Sequence, residues 1–373
     1  MKILIAGDFC ITNRAEMLVR KRDFSFLDHL KEVSKLADFA IANFEGPIAS
    51  DEDNPIIKCG PNLNMPKESA EAFAYAGFNI ATLANNHVLD YGVGGLNHTV
   101  KLLESNNIKT VGIGRDIESA SQPLLISLSN QKVAIINCCE HEFSLATDNS
   151  AGANPIDPVK LFYDINDAKQ KADKVIVIAH GGHEHYNLPS LRMQNLYRYL
   201  IDRGADMVVN HHQHCFSGFE QYNGKMIFYG LGNLCFDRLG KSNEPWNRGY
   251  AILLSVEDEI SYTIIPYDQF SDNPEILILK QGFYDKEIEN LNRIISDRVL
   301  LKEYQEKYFN ETSKYFRNRF EPFNNRIISS LRSRGFFPYL IGRERMAMIE
   351  NISLCESHKE KLEHMFVKVR NNN

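Results

Sequence analysis

The chain has 373 residues, 43% of them hydrophobic and 24% charged, so it is long enough for one large core domain with an appendage and fits no class of disordered protein. Its formal net charge of −6 gives no basic footprint along the chain, so we expect no nucleic acid partner. Seven cysteines indicate free thiols rather than a disulfide framework, and no apolar run suits a signal peptide or a transmembrane segment, so we expect a cytoplasmic protein.

Apolar strands alternate with helices over roughly the first 270 residues. The predicted strands are Lys2–Asp8, Asp38–Glu45, Gly77–Ala84, Lys132–Cys138, Lys174–Ala179, Met207–Val209 and Lys225–Tyr229, followed by a hairpin of Gly249–Val256 and Ile260–Ile265. The predicted helices are Phe24–Leu36, Met65–Ala76, Gly95–Ser105, Val159–Ala172 and Leu188–Arg203. This alternation predicts an α/β fold.

Polar residues that can bind metals follow several of these strands directly. His212 and His214 lie two apart after a buried strand, which in extended backbone places both rings on one side, close enough to serve one ion or two adjacent ions. The polar residues at the strand ends are Asp8, Asn43, Glu45, Asn85, Asn86, His87, Asp90, His180, Glu184, His211, His212, His214 and Asn233. Such a row along one edge of a sheet is typical of the site of an α/β enzyme.

Structural roles are the alternative for each of these residues taken alone. Asp8 could cap or turn the chain, and the run from Asn85 to Asp90 could cap the helix that follows it. His183 and His185 could line a pocket or face solvent. The agreement of several strand ends favours metal coordination over these local roles.

The composition changes after about Gln281. The remainder carries helical spacing and many charges, so we divide the chain into a domain of residues 1–281 and a helical segment of residues 282–373. The segment lacks strand-end clusters of polar residues and is not expected to supply metal ligands. Its arginines could bind an anionic polymer or a partner, although a solvated helix face is the better explanation for each one taken singly. The arginines in question are Arg317, Arg319, Arg326 and Arg332.

The strand-end motifs together resemble the CapA capsule-synthesis family, also called PGA_cap, of the calcineurin-like metallophosphoesterase superfamily. The motifs are Gly7-Asp8, Asn43-Phe-Glu45-Gly-Pro, Leu83-Ala-Asn-Asn-His-Val-Leu-Asp-Tyr-Gly92, His180-Gly-Gly-His-Glu184, Gly204-Ala-Asp-Met-Val-Val-Asn-His-His-Gln-His214 and Tyr229-Gly-Leu-Gly-Asn-Leu-Cys-Phe-Asp237. The resemblance covers roughly residues 1–270 and keeps the order of the motifs. It implies a four-layer α/β/β/α metallophosphoesterase-like sandwich with a dinuclear metal site, and a role in making anionic surface polymers.

The resemblance also implies a role for each residue. Asp8 and His214 would bind one metal ion and Glu45 would bridge both ions, while His87 would protonate the leaving oxygen. The second ion would be bound by Asn86, His180 and His212. The neighbouring residues that would contact substrate are Asn43, Asn85, Asp90, Glu184, His211 and Asn233.

The sequence departs from the family and superfamily pattern at three positions. Cys10 stands where the superfamily often has a metal-binding histidine, so the first ion would be weakly bound or bound by a thiolate. Gly181 replaces the tryptophan of the usual His-Trp-Gly, and Asn210-His-His-Gln-His214 replaces the usual Gly-His-His-Pro-His. The last two changes remove no predicted ligand, but they could reshape the pocket.

The ligand types favour two divalent ions, Mn, Fe or Zn, which can lower the pKa of a bound water and hold phosphate oxygens. We therefore expect a phosphoesterase acting on a phosphorylated or anionic surface-polymer substrate. One alternative is a non-catalytic accessory subunit that binds the polymer or a membrane-bound polymer synthase. The other is a metal-dependent hydrolase of amide bonds in a polyglutamate-like chain.

Overall fold

The computed structural model describes residues 1–58, 60–240, 242, 244–323, 325–354 and 366. Its strands are β1 (Lys2–Cys10), β2 (Phe39–Phe44), β3 (Ile80–Thr82), β4 (Lys109–Val111), β5 (Ile113–Gly114), β6 (Leu124–Leu128), β7 (Gln131–Cys139), β8 (Gly152–Ala153), β9 (Lys174–His180), β10 (Met207–His211), β11 (Phe219–Tyr222), β12 (Lys225–Phe228), β13 (Asn233–Phe236), β14 (Arg248–Val256), β15 (Ile260–Gln269) and β16 (Ile276–Ile278).

Helices connect these strands and follow them. They are α1 (Asn13–Val19), α2 (Asp28–Ser34), α3 (Ser69–Tyr75), α4 (Gly92–Ser105), α5 (Ile117–Ala120), α6 (Pro158–Lys171), α7 (Leu191–Asp202), α8 (Asp285–Ser296), α9 (Arg298–Phe320), α10 (Arg326–Ser333) and α11 (Arg343–Leu354), with 3₁₀ turns at Ser25–Leu27 and Pro245–Asn247. Among the described residues, no helix combines the length and the apolar character needed to cross a membrane.

The larger sheet has the strand order β16-β15-β14-β1-β2-β3-β4, and β13 pairs with the end of β1. Strands β1 to β4 run parallel, so their carboxyl ends lie at one edge. The other main sheet has the order β11-β12-β10-β9-β7-β6, and its strands β7, β9 and β10 also run parallel. A small pair, β5 with β8, completes the pairing.

Helices pack against each of the two main sheets and bury apolar residues there. Small and apolar residues of β1 to β3, such as Leu4, Ala42 and Ala81, pack in one core cluster with residues of α1 to α4, such as Phe73 and Leu103. On the other main sheet, α6 contacts β7 and β9, and α7 contacts β10 and β12. Each large apolar side chain buried in such a core contributes roughly 1.5–3 kcal/mol.

The two sheets touch one another at the ends that carry the polar residues. The side-chain oxygen of Asn137 in β7 accepts a hydrogen bond from Ala84 N at 2.7 Å, just beyond β3. The predicted α/β fold with an α/β/β/α sandwich and C-terminal helices is thus confirmed.

The element bounds differ from the predicted ones where local chemistry decides them. Helix α7 begins at Leu191 rather than Leu188, because the hydroxyl of Ser190 accepts a hydrogen bond from Met193 N at 3.2 Å and caps the helix there. Helix α6 begins at Pro158, which follows the capping carboxylate of Asp157. The predicted helix Phe24–Leu36 is a 3₁₀ turn followed by the shorter α2.

The chain separates into two compact units, Met1–Lys302 and Glu303–Asn373. The first unit includes α8, whose Asn292 Oδ1 accepts a hydrogen bond from Phe219 N at 2.7 Å and whose Ile295 O accepts one from Gln194 Nε2 at 2.9 Å. It therefore extends beyond Gln281, and the division of the protein at residue 281 stays a prediction.

Two of the arginines predicted to be available for an anionic polymer can be located in the second unit. Arg326 is exposed, but Arg332 is only 3% exposed and lies 3.8 Å from Glu321, which corrects the prediction for Arg332. The side chains of Arg317 and Arg319 lie outside the described residues.

Candidate metal centre

The carboxyl ends of parallel strands from both sheets bring the predicted ligands together. Asp8 lies in β1 and His180 ends β9, while Glu45 and His212 follow β2 and β10 directly. All four side chains are buried. The backbone N–H of His212 donates to Asp8 Oδ2 at 3.3 Å, so the two sheets are joined at this point.

One group consists of Asp8, Glu45 and His214, which offer ligand atoms that all lie within 4.8 Å of one another. His214 Nδ1 is 3.7 Å from Asp8 Oδ2, and His214 Nε2 is 3.7 Å from Glu45 Oε1. The ligand atoms surround a small space rather than bonding to one another. This arrangement suits a cation held by two carboxylates and an imidazole.

A second group surrounds Nε2 of His180. That nitrogen is 3.1 Å from Asn86 Oδ1 and 3.1 Å from His212 Nδ1. It is also 4.0 Å from Glu45 Oε1. Metal–ligand bonds of about 2.1 Å place adjacent ligands of one ion about 3.0–3.4 Å apart, and the two 3.1 Å distances from His180 Nε2 fall within that range as well as within hydrogen-bonding range. Glu45 lies between the two groups.

The surroundings of the Glu45 carboxylate favour a bound cation. Both of its carboxylate oxygens are buried and have no hydrogen-bond partner among the described residues. Burial, followed by the charges of Asp8 and Glu184, raises the pKa of Glu45 well above its usual range. Because an unpaired buried charge costs several kcal/mol, a cation bound here would remove a large penalty.

The other ligands are electrostatically suited to a metal. Burial raises the pKa of Asp8 to about 7, even though hydrogen bonds from Asn43 and His212 lower it. Burial also lowers the pKa of His180 and of His214 well below the usual value, so both imidazoles are neutral at pH 7. Neutral imidazoles keep the lone pair that metal binding requires. The residues present therefore fit divalent ions.

The loop after β10 holds its histidines in an unfavourable backbone conformation. His212 has φ 94° and His214 has φ 55°, values that residues with a Cβ atom rarely adopt. Neighbouring side chains fix the loop: Gln213 Nε2 donates to Tyr186 O at 3.1 Å, and Asn210 Nδ2 donates to Gly181 O at 2.9 Å. Backbone strain maintained by such contacts is characteristic of functional loops.

Two glycines allow a second loop to approach Asp8. A Cβ atom on Gly7 would lie 1.8 Å from Gly232 O, and Gly232 itself has φ +80°. The approach lets Asp8 N donate to Gly232 O at 3.2 Å and places Asn233 Oδ1 3.0 Å from His214 Nδ1. Asn233, predicted to bind substrate, thus orients a candidate ligand.

His87 is fixed by a buried ion pair that the sequence did not indicate. Its Nδ1 lies 2.6 Å from Asp90 Oδ2, and Asp90 also accepts a hydrogen bond from Leu63 N at 2.6 Å. The ammonium of Lys58 pairs with the other oxygen of Asp90 and lies 3.1 Å from His87 Nδ1. The Lys58 side chain is only 2% exposed. Asp90 therefore accepts from the Nδ1 side of His87, which leaves Nε2 for another partner.

The remaining predicted substrate residues occupy varied positions. Asn43 Nδ2 donates to Asp8 Oδ1 at 2.8 Å, and Asn85 Nδ2 donates to Asn43 Oδ1 at 3.1 Å, so these amides hold the ligands in place. His211 is buried, and burial lowers its pKa to about 4. Glu184 is exposed. A direct contact of any of them with substrate stays a prediction.

Cys10 does not join the ligand group. It packs in the apolar cluster between the larger sheet and its helices, and burial raises the pKa of its thiol well above the usual value. Within the described residues, the group formed with Asp8 contains Glu45 and His214 as its other members. The structure therefore gives no support to a thiolate ligand at this position.

The fold and these groups define an α/β/β/α protein with a candidate metal centre between its two sheets. Residues 2–238 match the family described as bacterial capsule synthesis protein PGA_cap, and the chain belongs to this family.

Individual relatives were also found. The chain is 31% identical over 240 residues to the PGA biosynthesis protein CapA of Bacillus subtilis (strain 168). The aligned part is 62% of this chain and 62% of that protein. It is 29% identical over 248 residues to the capsule biosynthesis protein CapA of Bacillus anthracis, over 64% of this chain and 60% of that one. The chain thus spans less than two thirds of the length of these relatives. Among solved structures, a hypothetical protein from Thermus thermophilus aligns with a TM-score of 0.46 and 16% identity, over 75% of this chain and 100% of that one.

Proposed function

We propose that this protein is a metal-dependent hydrolase of phosphoric esters that acts in the synthesis of an anionic surface polymer. The observation that carries the proposal is the Glu45 carboxylate, which is buried without a hydrogen-bond partner among the described residues. It lies within 4.0 Å of imidazole nitrogens from both ligand groups. A buried carboxylate in this position suits a bridge between two cations.

The two groups divide the ligands between two ions. Asp8 and His214 would hold one ion, Glu45 would hold both, and the other ion would be held by Asn86, His180 and His212. Oxygen and imidazole ligands favour Mn, Fe or Zn. When bound, two such ions hold the phosphate oxygens and lower the pKa of the attacking water.

His87 supplies the proton for the leaving group. Asp90 accepts a hydrogen bond from Nδ1–H, so when the ring is an imidazolium its second proton, on Nε2, is the one available to a substrate oxygen. Lys58 balances the charge of Asp90, so the carboxylate does not hold an unpaired buried charge. Donation from Nε2 would lower the barrier for alkoxide leaving groups, which depart poorly as anions.

The names of two relatives support a substrate class. The two CapA relatives carry names that refer to PGA and to capsule biosynthesis. We infer that this chain acts on a phosphorylated or anionic precursor of such a polymer, in association with a membrane-bound synthase. The location in the cytoplasm stays a prediction.

An accessory role without catalysis is the second candidate. It is favoured by Cys10, because this residue stands where the superfamily often has a histidine ligand and packs in the apolar core instead. An ion held by the remaining three residues, Asp8, Glu45 and His214, would bind more weakly than one with a fourth protein ligand. The relevant activity would then be polymer binding.

Metal content and a substrate panel separate these functions. The purified protein, loaded with Mn, Fe or Zn in turn, would be assayed on alkyl and aryl phosphate esters and on γ-glutamyl peptides. The proposal expects metal-dependent hydrolysis of the esters, abolished in Glu45→Gln and retained in Glu220→Gln, which changes a carboxylate outside the site. Hydrolysis of the peptides alone would establish an amidase. Metal binding with no hydrolysis of either class would favour the accessory role.

A further inference from the structure

The second unit contains a small folded module, residues 321–343, outside the residues that match the family. Its centre is the buried pair of Glu321 and Arg332, whose side chains are 1% and 0% exposed. Glu321 accepts hydrogen bonds from Leu340 N at 2.8 Å and Ile341 N at 3.3 Å, and Arg332 donates to Phe323 O at 3.2 Å. The pair therefore joins the chain before α10 to the chain after it.

The C-terminal end of α10 places Phe336 near Leu331 on the surface of the module. Gly335, with φ +80°, ends the helix, and Phe336 N donates to Leu331 O at 2.9 Å. This is the hydrogen-bond pattern in which the residue after the terminal glycine packs near the last helical turn. Ile327 lies one turn before Leu331 on the same face of the helix.

The module exposes large apolar side chains to an unusual extent. Ile327 is 73% exposed and Phe336 is 77% exposed. Other exposed apolar residues of the module are Phe323, Leu331 and Leu340. Several large apolar side chains exposed within one short segment indicate an interaction site.

The positive charge of the module indicates that its partner is anionic. Residues 322–343 contain four arginines and no lysine, aspartate or glutamate. Arg332 is buried with Glu321, whereas Arg326, Arg334 and Arg343 are exposed. The exposed surface of residues 322–343 thus combines apolar side chains with three positive charges inside a chain whose net charge is −6.

We propose that this module binds the surface of an anionic lipid bilayer. Phe336 and Ile327 would enter the boundary between headgroups and acyl chains, while Arg326 and Arg334 would contact lipid phosphates. A bilayer supplies both an apolar layer and a dense negative surface, which matches both parts of the module. A protein partner would need an apolar pocket ringed by acidic residues to match it equally well. The proposal concerns surface attachment and is independent of the proposed hydrolysis.

Vesicle binding by the full-length protein tests the proposal. Sedimentation would compare vesicles of equimolar phosphatidylglycerol and phosphatidylcholine with vesicles of phosphatidylcholine alone. We expect binding to the anionic vesicles that weakens as salt is raised. The variant Ile327→Ser with Phe336→Ser should lower the partition coefficient about tenfold or more. The variant Arg326→Gln with Arg334→Gln should lower it by about fivefold per arginine.

A matched control replaces equally exposed apolar residues of the first unit. Met17 and Val159 are 61% and 68% exposed, and Met17→Ser with Val159→Ser should bind vesicles like the unchanged protein. Equal binding to both lipid compositions, or undiminished binding by both module variants, would overturn the proposal. So would a dimer in solution that only the module variants dissociate, because the face would then belong to a second copy of the chain.

Discussion

Glu45 Oε1 lies 3.7 Å from His214 Nε2, too far for a hydrogen bond but suited to an ion between the two atoms. The same carboxylate is buried with no hydrogen-bond partner in the described part of the chain. A bound metal ion should therefore stabilise this region, because the cation would supply the interaction that the buried carboxylate lacks.

Glu45→Gln should separate metal binding from folding. The amide keeps the size of the side chain but cannot bridge two cations, so elemental analysis should find less than half of the normal metal. With chelator present, the variant should be at least as stable as the unchanged protein, since it lacks a buried acid. A metal ion at about 100 times its Kd should add about 2.7 kcal/mol to the free energy of unfolding of the unchanged protein and little to that of the variant.

The control for this experiment is Glu220→Gln. Glu220 pairs with Arg198 at 2.6 Å outside the site, so its loss can change stability without changing metal content. A full complement of metal in Glu45→Gln would refute the bridging assignment.

His87→Ala should leave the metals in place and lower kcat by about 10²–10⁴-fold, because it removes a proton donor and no ligand. The loss should be smaller for aryl phosphates, whose leaving groups need little protonation. The measurement is kcat for an alkyl and an aryl ester with metal content determined on the same samples. Equal losses on both esters would mean that His87 positions the substrate instead.

The candidate ligands could be picked out from the sequence because they lie at or soon after the ends of strands, where the fold brings them together; their binding of metal stays a prediction. Lys58 could not be found this way, because it lies in an irregular segment 29 residues before His87. Only the fold brings it next to His87 and Asp90. Cys10 was misleading for a different reason. Alternation from Asp8 would place it on the same side as that carboxylate, but Cys10 packs in the apolar cluster instead, which spacing along the strand does not reveal.

Arg332 illustrates a third limit. An arginine in a helical segment suits contact with an anionic polymer, yet the pairing of Arg332 with Glu321 depends on how the chain folds back after α10. The sequence pattern around Arg332 does not reveal that Glu321 is its partner.

Lys58→Met should destabilise the protein by about 3–5 kcal/mol, because Asp90 would lose the cation paired with it in a buried environment. Denaturant unfolding of Lys58→Met, Asp90→Asn and the double variant measures the pair directly. The double variant should be less destabilised than the sum of the single variants. Strict additivity would show that the two residues do not interact energetically.

Asp206 should give a stability contribution that depends on pH. Burial alone would raise its pKa, but hydrogen bonds from Val175 N, Lys225 and Lys169 outweigh burial and hold the pKa below its usual value. A carboxyl group whose pKa is lowered by folding stabilises the protein above the pKa of the unfolded chain and loses that effect as pH falls through the folded value.

Asp206→Asn should therefore be less stable than the unchanged protein at pH 7, and the difference should shrink as pH falls below the ordinary pKa of an aspartate and through the lowered folded value. Urea unfolding across this range measures it. Asp258→Asn, at an exposed position, is a control that should show little change at either pH. A difference that is constant with pH would assign the effect to packing.

The protein should tolerate truncation after Lys302 but not after Gln281. A chain ending at Lys302 keeps every residue of the candidate metal centre and the whole of α8, so it should fold, bind metal and hydrolyse small aryl phosphates. A chain ending at Gln281 lacks α8, which buries Ile288, Leu291, Ile294 and Ile295. At roughly 1.5–3 kcal/mol for each side chain, the loss is comparable to the whole stability of a domain.

The shorter chain should therefore be insoluble or unfolded by circular dichroism, while the longer one melts cooperatively. Asn292→Ala in the full chain tests the same contact more mildly, because it removes the acceptor for Phe219 N and should cost about 1–3 kcal/mol. Stable folding of the chain ending at Gln281, with metal bound, would support a domain boundary at that residue. Loss of metal from a folded chain ending at Lys302 would instead show that the second unit contributes to the centre.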